Sequence, residues 1–181
     1  ALPWIVQVVV VLVTGDVVAY WGHRLQHRVE WLWRFHAVHH SSTHVDWLAA
    51  HREHPLDGLY TQFLVNAPAI VFGFAVSEVM ALVVFRGVWA ILIHSNIKLN
   101  LGVLGYLLGS PHFHHWHHAR GRDVGNYANL APWLDVVFGT HYAPRGEEPD
   151  EMGLEGEDEE RLGGGYFGLL IKPFLPYKSK V

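Results

Sequence analysis

The sequence contains no cysteine. That excludes a disulfide scaffold, a Cys-ligated zinc site, a Cys-bound iron–sulfur cluster and a thiol nucleophile, and it leaves the redox compartment open. Charge is also scarce: 17% of the 181 residues are Asp, Glu, Lys or Arg, against about 25% in a typical soluble domain. The 13 Lys and Arg are scattered and the formal net charge is −4, so the concentrated basic face of a nucleic-acid binder is missing. The opening run has neither a basic stretch before it nor a clean small-residue cleavage site after it, and does not read as a signal peptide. No solenoid-type repeat is present. The length suits one domain with a sizeable core rather than two. What abounds is apolar surface, half of all residues with eight Trp among them, and histidine, 15 against 13 Lys plus Arg. Histidine is the commonest side-chain metal ligand, so the excess needs explaining.

Residues 2–21 are almost wholly apolar, with Asp16 their only charge. About 20 such residues cross a bilayer core as a helix. A second apolar stretch, 56–97, is twice that length and is broken by Glu78 and Arg86; residues 73–77 offer a turn, so it reads as a hairpin that enters the membrane and returns. Buried helices of a soluble protein are the alternative, and the length of the runs in so short a chain weighs against it. Glu78 marks the hairpin turn and Arg86 is expected to snorkel. Arg24, Arg28, Arg34 and Arg52 follow the first span, and Arg120 and Arg122 follow the hairpin. The positive-inside rule puts both segments on the cytoplasmic side, and an even number of crossings between them agrees. The chain begins with Ala rather than Met, and further hydrophobic segments are expected upstream. Residues 1–142 thus form a membrane domain. The acidic, Gly- and Pro-containing stretch 144–160 reads as a solvated, mobile linker, and the apolar tail 166–177 as lying along the membrane interface; together they make up a C-terminal unit, 143–181.

Nine of the histidines form a pattern. His23 and His27 are H-x-x-x-H; His36, His39 and His40 are H-x-x-H-H; His114, His117 and His118 repeat H-x-x-H-H; His94 stands alone near the end of the hairpin. At 3.6 residues per turn, positions i, i+3 and i+4 fall within about a 100° arc, so each cluster presents its imidazoles on one helix face. Nine nitrogens exceed the needs of one ion; split between two, they give four or five each and leave positions for oxygen or water. One i, i+4 pair arises by chance on amphipathic helices, but this combination on one side of a membrane points to metal binding. His44, His51, His54, His112, His115 and His141 read as surface, supporting or structural residues. Asp16, seven residues before His23 and at nearly its azimuth, is expected to orient His23 by accepting its second N–H; helix packing is the competing role. Asn126 and Asp135 are weaker candidates for supporting the site.

The stretch from Asp16 through His23-Arg24-Leu25-Gln26-His27, Leu32-Trp33-Arg34-Phe35-His36-Ala37-Val38-His39-His40-Ser41-Ser42, Arg52-Glu53-His54-Pro55, His94-Ser95-Asn96 and Pro111-His112-Phe113-His114-His115-Trp116-His117-His118 resembles the fatty acid hydroxylase/sterol desaturase superfamily. Asn126-Tyr127 and the run from Asp135 to Thr140 extend the likeness. The resemblance implies an all-α, integral-membrane helical bundle with a cytosolic cap of histidine-bearing helices, in a bacterial inner membrane or the endoplasmic reticulum. The family usually has more membrane helices than the spans placed here. Also implied is a di-iron centre that uses molecular oxygen to hydroxylate or desaturate unactivated C–H bonds of sterols, fatty acyl chains, ether lipids or related molecules. The family's metal ligands carry over onto His23, His27, His36, His39, His40, His114, His117 and His118, with His94 as a ninth. An unactivated C–H bond offers no acidic proton and no electrophilic carbon, so acid–base chemistry alone cannot break it. With no dinucleotide-binding glycine motif, Cys cluster or evident haem domain, electrons must come from a separate reductase, ferredoxin or cytochrome b5-like donor. Zinc also takes imidazole, which keeps a zinc-dependent membrane hydrolase in view, although no cluster holds the carboxylate such sites use. A metal transporter would place ionisable groups within its spans, and a non-catalytic metal-binding scaffold would have an incomplete ligand set.

Overall fold

The computed structural model describes residues 2–99, 101–120, 125–163 and 165–175; Arg122, Pro176 and Tyr177 lie outside them. The described residues are helical and form no strand. Helix α1, Trp4–Arg28, runs on a long stretch without an internal proline and is followed after one extended residue, Val29, by α2, Glu30–His40. Helix α3, Pro55–Val71, starts on a proline at its first position, with the His54 ring nitrogen capping the Leu56 amide. Helix α4, Val76–His94, returns from a turn that Glu78 closes by accepting the Ala75 amide. The short α5, Pro111–His117, is capped by Ser110; α6, Trp133–Val137, α7, Gly156–Leu162, and α8, Tyr166–Ile171, complete the chain.

Among the described residues α1 and α4 are long and apolar enough to cross a membrane. Both turn apolar side chains outward. On α4 the outward stripe is Val76, Met80, Val84 and Val88, with Val76 79% exposed, a spacing of one residue per turn. The inner surfaces meet around Val11, Ala69 and Leu82. α1 approaches α3 most closely where it has no side chain: a Cβ on Gly15 would stand 2.7 Å from the Val65 carbonyl oxygen. α1 and α4 both end, and α3 begins, at the same end of this three-helix unit, and there α2 and α5 close over it.

Two expectations are corrected here. Arg86 does not snorkel: it turns inward and pairs with Asp16 at 2.5 Å, and also donates to the Leu12 carbonyl. The acidic stretch is not a free linker, because Leu154 and Leu162, with Leu169 of α8, pack on Ala37 and Val38. Its acids are engaged as well, Asp158 by the Trp33 indole and Glu159 by Arg120.

The tight α1–α3 seam gives a first prediction. Gly15→Ala should lower stability by about 1–3 kcal/mol, as expected for overpacking, whereas Gly87→Ala, where a Cβ meets nothing within 4 Å, should not. Thermal unfolding of the detergent-solubilised protein checks this; equal midpoints would contradict the seam.

Candidate metal centre

The helix ends bring nine imidazoles into two groups. His23, His27, His36, His40 and His117 form one; His39, His94, His114 and His118 form the other, with the potential ligand atoms of each group within 4.8 Å of one another. Helix geometry explains the division. Residues i and i+4 differ by about 40° in azimuth and neighbours by about 100°, so His23/His27, His36/His40 and His114/His118 each stay together. His39 and His117, about 100° from their neighbours on the same broad face, join the opposite group.

Local bonds fix which nitrogen carries the proton in five of the nine rings. His23 Nδ1 lies 2.7 Å from the Tyr127 carbonyl oxygen, and His117 Nδ1 lies 2.7 Å from that of Gly125. His94 Nδ1 meets the Ala90 carbonyl at 2.7 Å and His39 Nδ1 that of Arg52 at 3.3 Å. A carbonyl only accepts, so each Nδ1 donates and each Nε2 keeps a bare lone pair. His36 Nδ1 is held in the same way by Asp57 Oδ2 at 3.0 Å. The bare nitrogens then face one another: His23 Nε2 and His36 Nε2 are 3.0 Å apart, and His39 Nε2 and His94 Nε2 3.2 Å. His27, His40 and His117 each bury Nε2 without a partner, a cost of about 1–3 kcal/mol per atom.

Converging lone pairs need a cation between them. Protons do not suit, because burial and neighbouring imidazoles hold His39, His40, His114 and His118 well below the usual histidine range and push His117 down to about 3. Neutral, oriented imidazoles are the form that binds metal ions. The donor sets therefore fit metal ions, one per group.

The supporting residues differ from those expected. Asp16 does not reach His23: seven residues of helix separate them by about 10.5 Å along the axis, and Arg86 takes the carboxylate. Asn126 and Asp135 work through the backbone rather than through an imidazole. Asp135 accepts the Tyr127 and Ala128 amides and the Thr140 hydroxyl. Asn126, at φ 56°, bonds the Phe113 and Tyr142 carbonyls and the Tyr142 amide. Together they pin the loop whose Gly125 and Tyr127 carbonyls orient His117 and His23. Sequence reasoning missed Asp57 and its partner Gln26, whose amide reaches Asp57 Oδ1 at 2.6 Å. An acid in the first turn of a helix reads as an ordinary partner of the helix dipole, and only its burial at 4% exposure sets it apart.

The remaining histidines take other places. His54 bridges the Leu56 amide and the Leu170 carbonyl, His115 the Ser95 carbonyl and His112 the Glu147 carbonyl. His141 packs against Tyr106 and Phe113, and His44 and His51 are exposed. A cavity of about 160 Å³ reaches both groups, touching His23 and His36 of one and His39, His94 and His114 of the other. It extends between α1, α3 and α4 to Leu64, Val65, Phe85 and the Asp16–Arg86 pair.

The fatty acid hydroxylase family model matches residues 8–140, and the chain belongs to this family, part of the fatty acid hydroxylase/sterol desaturase superfamily. It is similar to the ornithine lipid hydroxylase OlsE of Rhizobium tropici, with 30% identity over 175 residues, 95% of this chain and 51% of that protein. It is similar too to the alkylglycerol monooxygenase of Homo sapiens, 33% identical over 126 residues, 68% of this chain and 28% of that protein. The very-long-chain aldehyde decarbonylase GL1-8 of Oryza sativa subsp. indica is 29% identical over 138 residues, 74% of this chain and 51% of that protein. The chain thus spans about half the length of two of these relatives and under a third of the other. No solved structure matches it.

The neutral imidazoles carry a pH prediction. The folded chain holds these rings unprotonated while the unfolded chain protonates them near the ordinary value of about 6.5. The unfolded state then binds more protons, so stability rises with pH across that window. In metal-free protein the stability contributed by these neutral rings should be fully present above about pH 7 and be lost as pH falls from about 6.5 towards 3, the latter being the value for His117. Chelator-treated protein melted at pH 8, 6 and 5 checks this; an unchanged midpoint would contradict neutral burial.

Proposed function

We propose that the protein is an integral-membrane, non-haem di-iron lipid oxygenase that hydroxylates or desaturates an unactivated C–H bond. The observation that carries this reading is the pair of convergent imidazole sets opening onto one cavity inside the helical unit. His23, His27, His36, His40 and His117 would hold one iron and His39, His94, His114 and His118 the other. Bound iron supplies the reduction of molecular oxygen and the removal of a hydrogen atom from the substrate.

The chain's own residues do the positioning. Asp57 and the carbonyls of Arg52, Ala90, Gly125 and Tyr127 lock the rings, so little reorganisation is needed when metal binds. The donor sets contain no carboxylate, and Asp57 is committed to His36 and Gln26. Glu53 lines the cavity without joining either donor set, and ligation by imidazole alone supports the oxygenase over a zinc-dependent hydrolase. The cavity is smaller than a typical ligand pocket of about 300–1,000 Å³. It admits the reacting segment of a lipid and not the whole molecule. The rest of the lipid would lie along the outward apolar faces of the helices. Gln26, Tyr60, Thr61 and Gln62 line the cavity together with Leu64, Val65, Phe85 and Trp89, a mixed lining that suits a chain carrying a polar group. The names of the relatives, an ornithine lipid hydroxylase and an alkylglycerol monooxygenase, support a polar lipid as substrate.

α1, α3 and α4 would cross the bilayer with the histidine end in the cytoplasm, beside Arg24, Arg28, Arg34, Arg52 and Arg120. Electrons would come from an external ferredoxin, cytochrome b5-like protein or reductase at that face.

The test is iron-loaded protein given a reductant, polar lipids and isotopically labelled oxygen, with products read by mass spectrometry. Incorporated label identifies a hydroxylase, and oxygen-dependent loss of two hydrogens a desaturase. His39→Ala or His117→Ala should abolish turnover and lower bound metal, while His141→Ala should do neither. Full turnover by His39→Ala would contradict the ligand assignment, and an oxygen-independent hydrolysis product would contradict the reading as a whole.

A further inference from the structure

A file of aromatic rings leads away from the five-histidine group. Tyr127 lies against three of its imidazoles, with ring centroids 5.2 Å from His27, 5.8 Å from His23 and 6.0 Å from His117. Behind it, at 6.0 Å, is Tyr20. Tyr20 in turn contacts Phe138 at 5.1 Å and Trp21 at 5.5 Å, and these two are 4.9 Å apart at the molecular surface, Trp21 being 43% exposed. Tyr20 and Tyr127 are fully buried, at 0% and 1%.

The hydroxyl of Tyr20 has a directed proton partner. Its oxygen is 2.8 Å from Thr140 Oγ1, and Thr140 donates to Asp135 Oδ1 at 2.6 Å. Thr140 has a single hydroxyl proton, already given to Asp135, so Tyr20 is the donor to Thr140. Burial pushes the Asp135 carboxyl up, which favours accepting a proton. Arg24 donates to the Tyr20 oxygen at 3.2 Å and stands over the Trp21 ring at 5.3 Å. Its charge disfavours a cation on Trp21. Packing alone asks for apolar rings here and gives no reason for a phenol with a two-step path to a buried carboxylate.

We propose that Tyr20 is a redox-active tyrosine that drains oxidising equivalents from the metal centre when no lipid is bound. The inference rests on the oxygenase reading, with the oxidant being the metal centre after reaction with dioxygen. Tyr20 gives one electron across Tyr127 to that centre, which is reduced by one. The O–H bond of Tyr20 breaks as its proton passes to Thr140 Oγ1 and the Thr140 proton to Asp135. The product is a neutral tyrosyl radical, and an electron from the external donor, with return of the proton, restores the phenol.

The experiment takes the full chain loaded with ferrous iron, exposes it to oxygenated buffer without lipid, and freezes it at intervals for electron paramagnetic resonance. Optical absorption follows iron oxidation in the same samples. A tyrosyl signal that narrows on ring-deuteration of tyrosine, and that falls at least tenfold in Tyr20→Phe at unchanged iron content, is expected. Thr140→Val should also reduce it. Iron oxidation without a tyrosyl signal, or a signal undiminished in Tyr20→Phe, would overturn the relay and leave the oxygenase intact. Loss of the signal only in Tyr127→Phe would overturn the assignment to Tyr20. Failure to bind or oxidise iron would overturn the oxygenase reading and the relay with it.

Discussion

The structure depends on lone pairs made to converge. Five imidazoles have their Nδ1 proton committed to a fixed acceptor, four to backbone carbonyls and one to Asp57. Each is left with a bare Nε2 turned inward, and in two cases these nitrogens face each other at 3.0 and 3.2 Å. Without a cation that arrangement is unfavourable in a buried setting, because desolvated polar atoms without partners each cost about 1–3 kcal/mol. The helical scaffold has to supply the stability that holds it. An ion bound there would recover the cost and so couple metal binding to folding.

The surrounding elements can be read as answers to that demand. α1 and α4 deliver His23, His27 and His94 from their last turns, and α2 and α5 close over the top. Asn126 and Asp135 tie down the backbone at Tyr127 and Ala128 that follows α5. The acidic C-terminal segment covers the outer face of α2, and the Trp33 ring, hydrogen-bonded to Asp158, lies against His27 and His40. The cavity between the helices reaches both imidazole groups. Its far end is a buried ion pair, Asp16–Arg86, which two membrane-length helices could not carry unless each charge answered the other.

Much of this was legible in the sequence. The i, i+4 histidine spacing announces shared helix faces, and the hairpin between α3 and α4 follows from apolar length and a turn-forming break. The partition of each H-x-x-H-H between two imidazole groups was not legible, because which helix stands opposite decides where His39 and His117 go. The orienting groups were harder still. Four are backbone carbonyls, which no residue type encodes, and Asp57 looks like any first-turn acid. Asp16 misled because azimuth repeats every seven residues while the rise along the axis does not. The acidic segment misled because composition counts nine carboxylates in 144–160 and overlooks two leucines placed to reach α2.

The central claim is that the two imidazole groups hold one metal ion each and that the metal is iron. Elemental analysis of protein purified from iron-supplied cells tests it most directly. The account predicts about two irons per chain. One ion or none per chain, or zinc filling both sites with no iron present, would contradict it.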